Sequence, residues 1–164
     1  DDFLEHVGEI ITKPLYGNGG LGIHRFNNQN FDPTIIERYL ELPIMVQKYI
    51  NEIDQGDRRL IFIDGEYCGS VARLPKDGDI KANFHAGGIP KKTDLVFRDK
   101  EIIDVVGPQL RDNNLFFVGI DIIGDYLTEV NVTSPTGIKQ INALNNVNLE
   151  KVFWDKLEAK YKLV

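Results

Sequence analysis

Two strand-like apolar runs, Glu9 to Pro14 and Leu21 to Phe26, flank a glycine-rich turn, Tyr16-Gly17-Asn18-Gly19-Gly20. Asp32-Pro33 follows, an N-cap residue with proline at the first helical position, and predicts a helix to about Leu40. Pro43 ends that element, and Ile44 to Ile50 is strand-like again. Asn51 to Asp57 reads as a hinge, with Asp54, Gly56 and Asp57 as turn formers. Two strands come next, Arg59 to Ile63 and Tyr67 to Leu74, joined at the hairpin signal Asp64-Gly65.

Pro75 to Lys92 breaks this rhythm. It holds Gly78, Gly87, Gly88 and two prolines without apolar periodicity, which predicts a lid or a mobile segment. Between Thr93 and Asp112, residues Ile102, Ile103, Val106 and Leu110 fall at helical spacing, and Pro108 is expected to bend or split that helix. Leu115 to Ile123 and Tyr126 to Val132 form a second hairpin around Gly124-Asp125. Ser134-Pro135 then starts a helix, and Leu149, Val152, Phe153 and Leu157 mark an amphipathic final one. The pattern is α+β, with mixed or antiparallel sheets flanked by helices and no internal repeat.

With 164 residues the chain is one domain or two small lobes sharing a cleft. Its 42% hydrophobic and 27% charged residues argue against disorder. Nineteen basic against 25 acidic side chains leave a net charge of −6, which argues against a dedicated nucleic-acid binder. The apolar run Leu115 to Ile123 is far shorter than the roughly 20 residues of a membrane helix, and Gly119 and Asp121 interrupt it. Cys68 stands alone, so no internal disulfide or multi-thiolate metal site is available, and a reducing cytoplasmic setting is favoured. The chain starts Asp1-Asp2 rather than with Met, which reads as a cut.

Three groups of residues carry candidate chemistry. Lys13 precedes the Gly17-to-Gly20 turn, where backbone amides can approach a polyphosphate and an ammonium supplies counter-charge. A plain hairpin turn with a surface lysine is the other reading, and no Walker A motif is present. Asp121, Glu129 and Asn131 offer only oxygen ligands, the set that suits Mg²⁺ between protein and phosphates, unless they are simply a solvent-facing side. Glu129 and Asn131 share a face of one strand, but Asp121 joins them only if the loop has an odd residue count or a bulge intervenes. Arg59 and Arg73 lie on the adjacent hairpin, either to hold transferring phosphate or as edge-strand arginines in solvated salt bridges with Asp57 or Asp79. His6, His24 and His85 share no metal-ligand spacing, and nothing near Cys68 suggests a lowered pKa. Ser134 and Thr136 flank Pro135 at the expected helix start, as an anion site or as caps.

Taken in order, these segments resemble prokaryotic glutathione synthetase, of the ATP-grasp superfamily. The matching stretches are Lys13-Pro14-Leu15 with Gly17 to Gly20, Gln47-Lys48-Tyr49-Ile50, Gly56-Asp57-Arg58-Arg59, Ala72-Arg73-Leu74-Pro75 and Ala86-Gly87-Gly88. The longest is Phe117 to Asp125, continued from Leu127 through Asn131-Val132-Thr133-Ser134-Pro135-Thr136-Gly137. The resemblance implies an ATP-grasp fold fragment, with residues 1–52 in the remaining lid lobe and 53–164 in the C-terminal lobe, an N-terminal substrate domain being absent. It implies a ligase that activates γ-glutamylcysteine with ATP as an acyl phosphate and joins it to glycine, with Mg²⁺ or Mn²⁺, in a cytoplasmic homo-oligomeric parent enzyme.

By position, the resemblance gives nucleotide contacts to Lys13, Gly17, Asn18, Gly19 and Gly20, and to the backbone of Gln47, Lys48, Tyr49 and Ile50. It makes Asp121, Glu129 and Asn131 the metal ligands and sets Arg59 and Arg73 at the transferring phosphate. Substrate contacts fall to Asn83, Gly87, Gly88, Ser134 and Thr136. The lid departs from the family pattern: Lys81-Ala82-Asn83 stands for Arg-Gly-Asn and Gly87-Gly88-Ile89 for Gly-Gly-Arg. An early lid-lobe lysine is also missing, so the isolated chain is expected to bind ATP weakly and make little or no glutathione. Two other readings remain at this point: a different ATP-grasp carboxylate–amine ligase, or a non-catalytic nucleotide-binding module.

Overall fold

The computed structural model describes residues 2–16, 20–37, 42–76, 82–84 and 87–162. The expected positions Gly17, Asn18 and Gly19, the helix end at Leu40, and Asp79, Lys81, His85 and Ala86 lie outside the described residues. The chain divides into two units, Asp1–Asn51 and Glu52–Val164.

In the first unit a short helix α1 (Asp2–Val7) leads into β1 (Glu9–Pro14), β2 (His24–Asn27), α2 (Pro33–Glu37) and β3 (Ile44–Lys48). The strands form an antiparallel sheet in the order β2-β1-β3. The pattern reading missed α1. Gly8 closes that helix with a positive φ of 79°, and its N–H donates to Leu4 O at 2.8 Å. Leu4 thereby joins Ile10 and Phe26 in a small core. Asp32 caps α2 as expected, its Oδ1 accepting from Thr34 N at 2.9 Å. The return strand is shorter than expected because residues 20–22 belong to the turn.

The second unit is a five-stranded antiparallel sheet in the order β6-β5-β4-β7-β8. Its elements are β4 (Asp57–Ile63), β5 (Glu66–Leu74), β6 (Ile89–Lys91), α3 (Phe97–Asp112), β7 (Phe117–Ile123), β8 (Tyr126–Asn131), α4 (Ile138–Asn145) and α5 (Leu149–Tyr161). β4 is central, and Leu60, Ile61, Phe62 and Ile63 are all fully buried. Helices on both faces explain the continuous apolar run. Leu60 and Phe62 pack with Ile102 and Leu110 of α3, and Ile61 and Ile63 with Ile141 of α4 and Leu149 of α5. Burial of each such side chain stabilises the fold by about 1.5–3 kcal/mol. Asp64 (φ 53°) and Gly65 (φ 76°) make the tight β4–β5 turn that their sequence announces.

Three expectations are corrected here, and one segment gains detail. Pro108 does not split α3, which runs unbroken to Asp112; Pro108 is exposed, so water can reach the carbonyl its missing N–H leaves unbonded. Within the segment read as a lid or a mobile stretch, residues 89–91 form β6, paired with β5 through Ala72↔Lys91 to Leu74↔Ile89. The Ser134-Pro135 pair does not begin a helix: α4 starts at Ile138 with Gly137 as its N-cap. Arg59 and Arg73 are not edge-strand residues, since β4 is central and β5 pairs with β6 beside Arg73. Among the described residues no helix is long and apolar enough to cross a membrane.

Candidate active site

The turn between β7 and β8 has two residues, Ile123 standing opposite Tyr126. That turn alone would send Asp121 and Glu129 to opposite faces. A bulge intervenes: Ile122 pairs with Leu127 but Asp121 with Glu129, leaving Thr128 as the extra residue. Thr128 Oγ1 donates to Asp121 O at 3.1 Å and ties the bulge down. Directly opposed residues share a face, so Asp121, Glu129 and Asn131 (opposite Gly119) project to the same side. The bulge satisfies the register condition set by the sequence.

Arg59 lies on that face too, directly opposite Asp121 across β4 and β7. Its Nη2 donates to Asp121 Oδ2 at 2.8 Å, Nε donates to Oδ1, and Nη1 donates to Thr136 O at 3.2 Å. Arg73, opposite Asp57, donates from Nε to Asp57 Oδ1 at 2.7 Å and from Nη2 to Asp57 Oδ2. The same Nη2 lies 3.0 Å from Asp121 Oδ2. Two guanidiniums and two carboxylates thus form one buried network of zero net charge, with Arg59 5% and Arg73 1% exposed. The solvated salt bridges weighed for these arginines are not what forms. Asp57, weighed as a salt-bridge partner for these arginines, does pair with Arg73, but in a buried network rather than in solvent; its spacing of two from Arg59 puts both on one strand face.

Charge asymmetry within the network separates the two acids. Burial alone would raise Asp121, but the Arg59 hydrogen bonds and the Arg73 charge hold its carboxyl below the usual range. Burial pushes Asp57 up, and the neighbouring Asp121 charge adds to that, more than its one guanidinium partner, Arg73, offsets. Arg73, between two carboxylates, is held more firmly protonated despite burial. Burial also raises the half-buried Cys68 thiol, consistent with an unreactive thiol.

The surrounding segments converge on this network. Gly119 leaves room for it: a Cβ there would stand 2.7 Å from Pro135 Cβ and 3.1 Å from Arg59 Cδ. Pro135 is buried over Gly119, whereas Ser134 and Thr136 beside it are exposed. Arg73 Cζ lies 5.6 Å from the Phe84 ring centroid, which brings Phe84 to the same place. Gly88 N donates to Asn83 O and Gly87 N to Phe84 O, both at 3.0 Å. A cavity of about 460 Å³, lined by Tyr67, Cys68, Ser70, Lys100 and Asn145, includes none of the expected site residues.

The oxygen set fits a hard divalent cation of the Mg²⁺ kind. Glu129 is exposed, and Asn131 carries a buried amide nitrogen without a hydrogen-bond partner among the described residues. That nitrogen is a donor and calls for an acceptor such as a phosphate oxygen, whereas a cation would be met by the amide oxygen of Asn131. Asp121 keeps its charge, though its guanidinium partners already occupy lone pairs on both oxygens. Among the described residues no group of three or more His, Cys, Asp and Glu side chains is placed to hold a metal ion.

In the first unit, Lys13 stands opposite Met45 at the end of β1, and Gln47 and Lys48 lie in β3. β3 is an edge strand of that sheet. Tyr49 N donates to Glu9 O at 3.0 Å, so the alternation turns the Tyr49 amide inward and the Lys48 backbone toward the unpaired edge. The Tyr49 ring is covered by Arg25, whose Cζ is 3.7 Å from its centroid. Gly20 belongs to the turn before β2, and Ile50 follows β3.

Solved structures of ATP-grasp enzymes share this architecture. The ATP-grasp ligase PsnB, complexed with a phosphomimetic variant of a minimal precursor, Mg and ADP, superposes with a TM-score of 0.69 at 19% identity, over 98% of this chain and 49% of its own. D-alanine–D-alanine ligase from Bacillus anthracis, complexed with ATP, gives 0.67 at 16% identity, over 99% and 57%. The chain therefore has the ATP-grasp fold. The sequence narrows this further: the profile of the prokaryotic glutathione synthetase ATP-grasp domain matches residues 1–146, and the chain belongs to that family. The glutathione synthetase of Mesorhizobium japonicum is 42% identical over 164 residues, 98% of this chain and 52% of the relative. That of Gloeobacter violaceus is 44% identical over 160 residues, 95% and 49%. The chain spans about half the length of these relatives.

Proposed function

We propose that this chain carries the nucleotide and metal site of an ATP-dependent ligase that joins γ-glutamylcysteine to glycine in the cytoplasm. The observation that carries the reading is the shared face of Asp121, Glu129 and Asn131, beside two arginines and next to the Asn83–Gly88 turn. In the proposed reaction the cysteinyl carboxylate takes the γ-phosphoryl group of ATP, and the glycine amine then displaces phosphate from the acyl phosphate. Such a reaction brings two anions together, which calls for fixed positive charge rather than a protein nucleophile.

Asp121, Glu129 and Asn131 would hold Mg²⁺, or Mn²⁺ in its place, which would neutralise phosphate charge when bound. Arg59 and Arg73 orient Asp121 through the network and add positive charge behind it. In the other unit, Lys13 is proposed to meet the nucleotide phosphates with Gly17, Asn18, Gly19 and Gly20. The outward Lys48 backbone, with Gln47, Tyr49 and Ile50 around it, is proposed to meet the adenine edge. Asn83, Gly87, Gly88, Ser134 and Thr136 are proposed to line the peptide substrate and exclude water from it. Residues 1–52 and 53–164 are proposed as the lid and C-terminal lobes, completed by an N-terminal substrate domain in a homo-oligomeric parent.

The test is ADP release by the full-length protein bearing this chain, with γ-glutamylcysteine plus glycine against D-alanine or glutamate. Release confined to the first pair is expected. Equal or greater release with D-alanine would overturn the substrate assignment, and substantial glutathione synthesis by residues 1–164 alone would overturn the lobe assignment.

A further inference from the structure

The two consecutive arginines of β4 face opposite sides of the sheet. Arg59 serves the carboxylate face, whereas Arg58 turns toward α3 and meets a different acid. Its Nε lies 3.1 and 3.0 Å from Asp99 Oδ1 and Oδ2, and its Nη2 2.8 Å from Oδ1. Asp99 is fully buried and also accepts from Val96 N at 3.1 Å, so it caps α3 while it orients Arg58. From that anchored position Arg58 Nη2 donates to Gly124 O at 2.7 Å. Arg98, one residue before Asp99, donates from Nε to Asp125 O at 3.1 Å and braces Nη1 on Glu101 at 2.9 Å. Gly124 and Asp125 are the whole of the β7–β8 turn. Each of its two carbonyls is therefore held by a different arginine. The Glu52 side chain closes another side, since a Cβ on Gly124 would stand 3.1 Å from Glu52 Cγ.

We propose that Arg58 and Arg98 are positioning residues that hold the β7–β8 turn by its two carbonyl oxygens and so keep Glu129 and Asn131 on the Asp121 face. The physical need comes from the bulge. Among the described residues β8 is an edge strand hydrogen-bonded only to β7, and shifting its register by one residue sends Glu129 and Asn131 to the other face. A bulged edge strand is where such a slip is easiest, and sliding β8 past β7 means rebuilding the turn. Charge-assisted hydrogen bonds to both turn carbonyls oppose that rebuilding. The metal-binding consequence rests on the reading of the site given above, whereas the strand-holding consequence does not.

The experiment pairs hydrogen exchange with metal titration, on the full-length protein bearing this chain and two variants of it. Arg98→Ala removes one clamp at an exposed position. Arg58→Lys keeps the charge but cannot serve Asp99 and Gly124 together. Both should exchange the amides of residues 126–131 roughly tenfold faster while β4 and β5 amides hold their wild-type rates. Mn²⁺ affinity in the presence of a non-hydrolysable ATP analogue should fall by about tenfold, the low end for groups that orient metal ligands. Unchanged exchange in β8 of both folded variants would overturn the proposal, as would faster exchange with unchanged Mn²⁺ affinity. A wild-type full-length protein that binds no Mn²⁺ with the analogue, while both variants show the exchange effect, would sink the metal reading and leave the clamp standing.

Discussion

Arg59 and Asp121 face each other across β4 and β7, and the guanidinium grips both carboxylate oxygens of an acid only 4% exposed. Arg73 reaches the same acid from β5 at 3.0 Å. A carboxylate in this position has two tasks: it balances two buried cations, and it stands beside Glu129 and Asn131.

Asp121→Ala should therefore be costly before any question of catalysis arises. Removing it leaves Arg59 and Arg73 sharing one remaining acid in a buried setting, a loss of roughly 3–5 kcal/mol. Urea denaturation of the variant should show that loss directly, and a change under about 1 kcal/mol would mean that the network does not persist in solution.

Glu129→Gln should separate binding from stability. Glu129 is exposed on an edge strand, so the variant should stay within about 0.5 kcal/mol of wild type. Nucleotide-dependent Mn²⁺ binding, followed by electron paramagnetic resonance, should weaken at least tenfold.

The two network acids should titrate apart, Asp57 above and Asp121 below the usual aspartate range of about 3.9, as read by carboxyl ¹³C shifts. The signs for stability are opposite. Asp121, depressed in the folded state, contributes stability that is present above its unfolded pKa and lost as pH falls through its lowered folded value. Asp57, raised in the folded state, loses its contribution as pH rises from the unfolded pKa through its raised folded one. Asp57→Asn should therefore steepen the acid loss of stability between those two values, because the opposing contribution is gone.

Gly119→Ala tests the closeness of the loop above the network. The new methyl would meet Pro135 and Arg59 at 2.7 and 3.1 Å, so one of them must move. A destabilisation of about 1–3 kcal/mol is expected from thermal or urea unfolding, the usual range for overpacking. A neutral result would mean that the segment of residues 132–137 does not rest on β7.

Much of the second unit was legible because its signals are local. Asp64-Gly65 and Gly124-Asp125 marked their hairpins through the backbone dihedrals such residues accept. The unbroken apolar run of β4 was readable as a strand, but not as a central one covered on both faces. Ser134-Pro135 misled for the opposite reason: a good helix-start dipeptide was taken up by packing over Gly119, and the helix began later. The short α1 was missed because its stabilising contact, Leu4 against Ile10 and Phe26, lies outside its own turn.

The amino-acid sequence by itself determined which side chains could do chemistry, and the order of strands and turns that carries them, since both depend on residue type and short-range spacing. Tertiary structure decided which face each one takes and whether it is solvated. The extra residue at Thr128 reverses the parity that a two-residue turn would impose, and pairing across three strands buries Arg59 and Arg73 against acids far away in the chain. Both outcomes are set by contacts between strands, and those form only when distant segments meet.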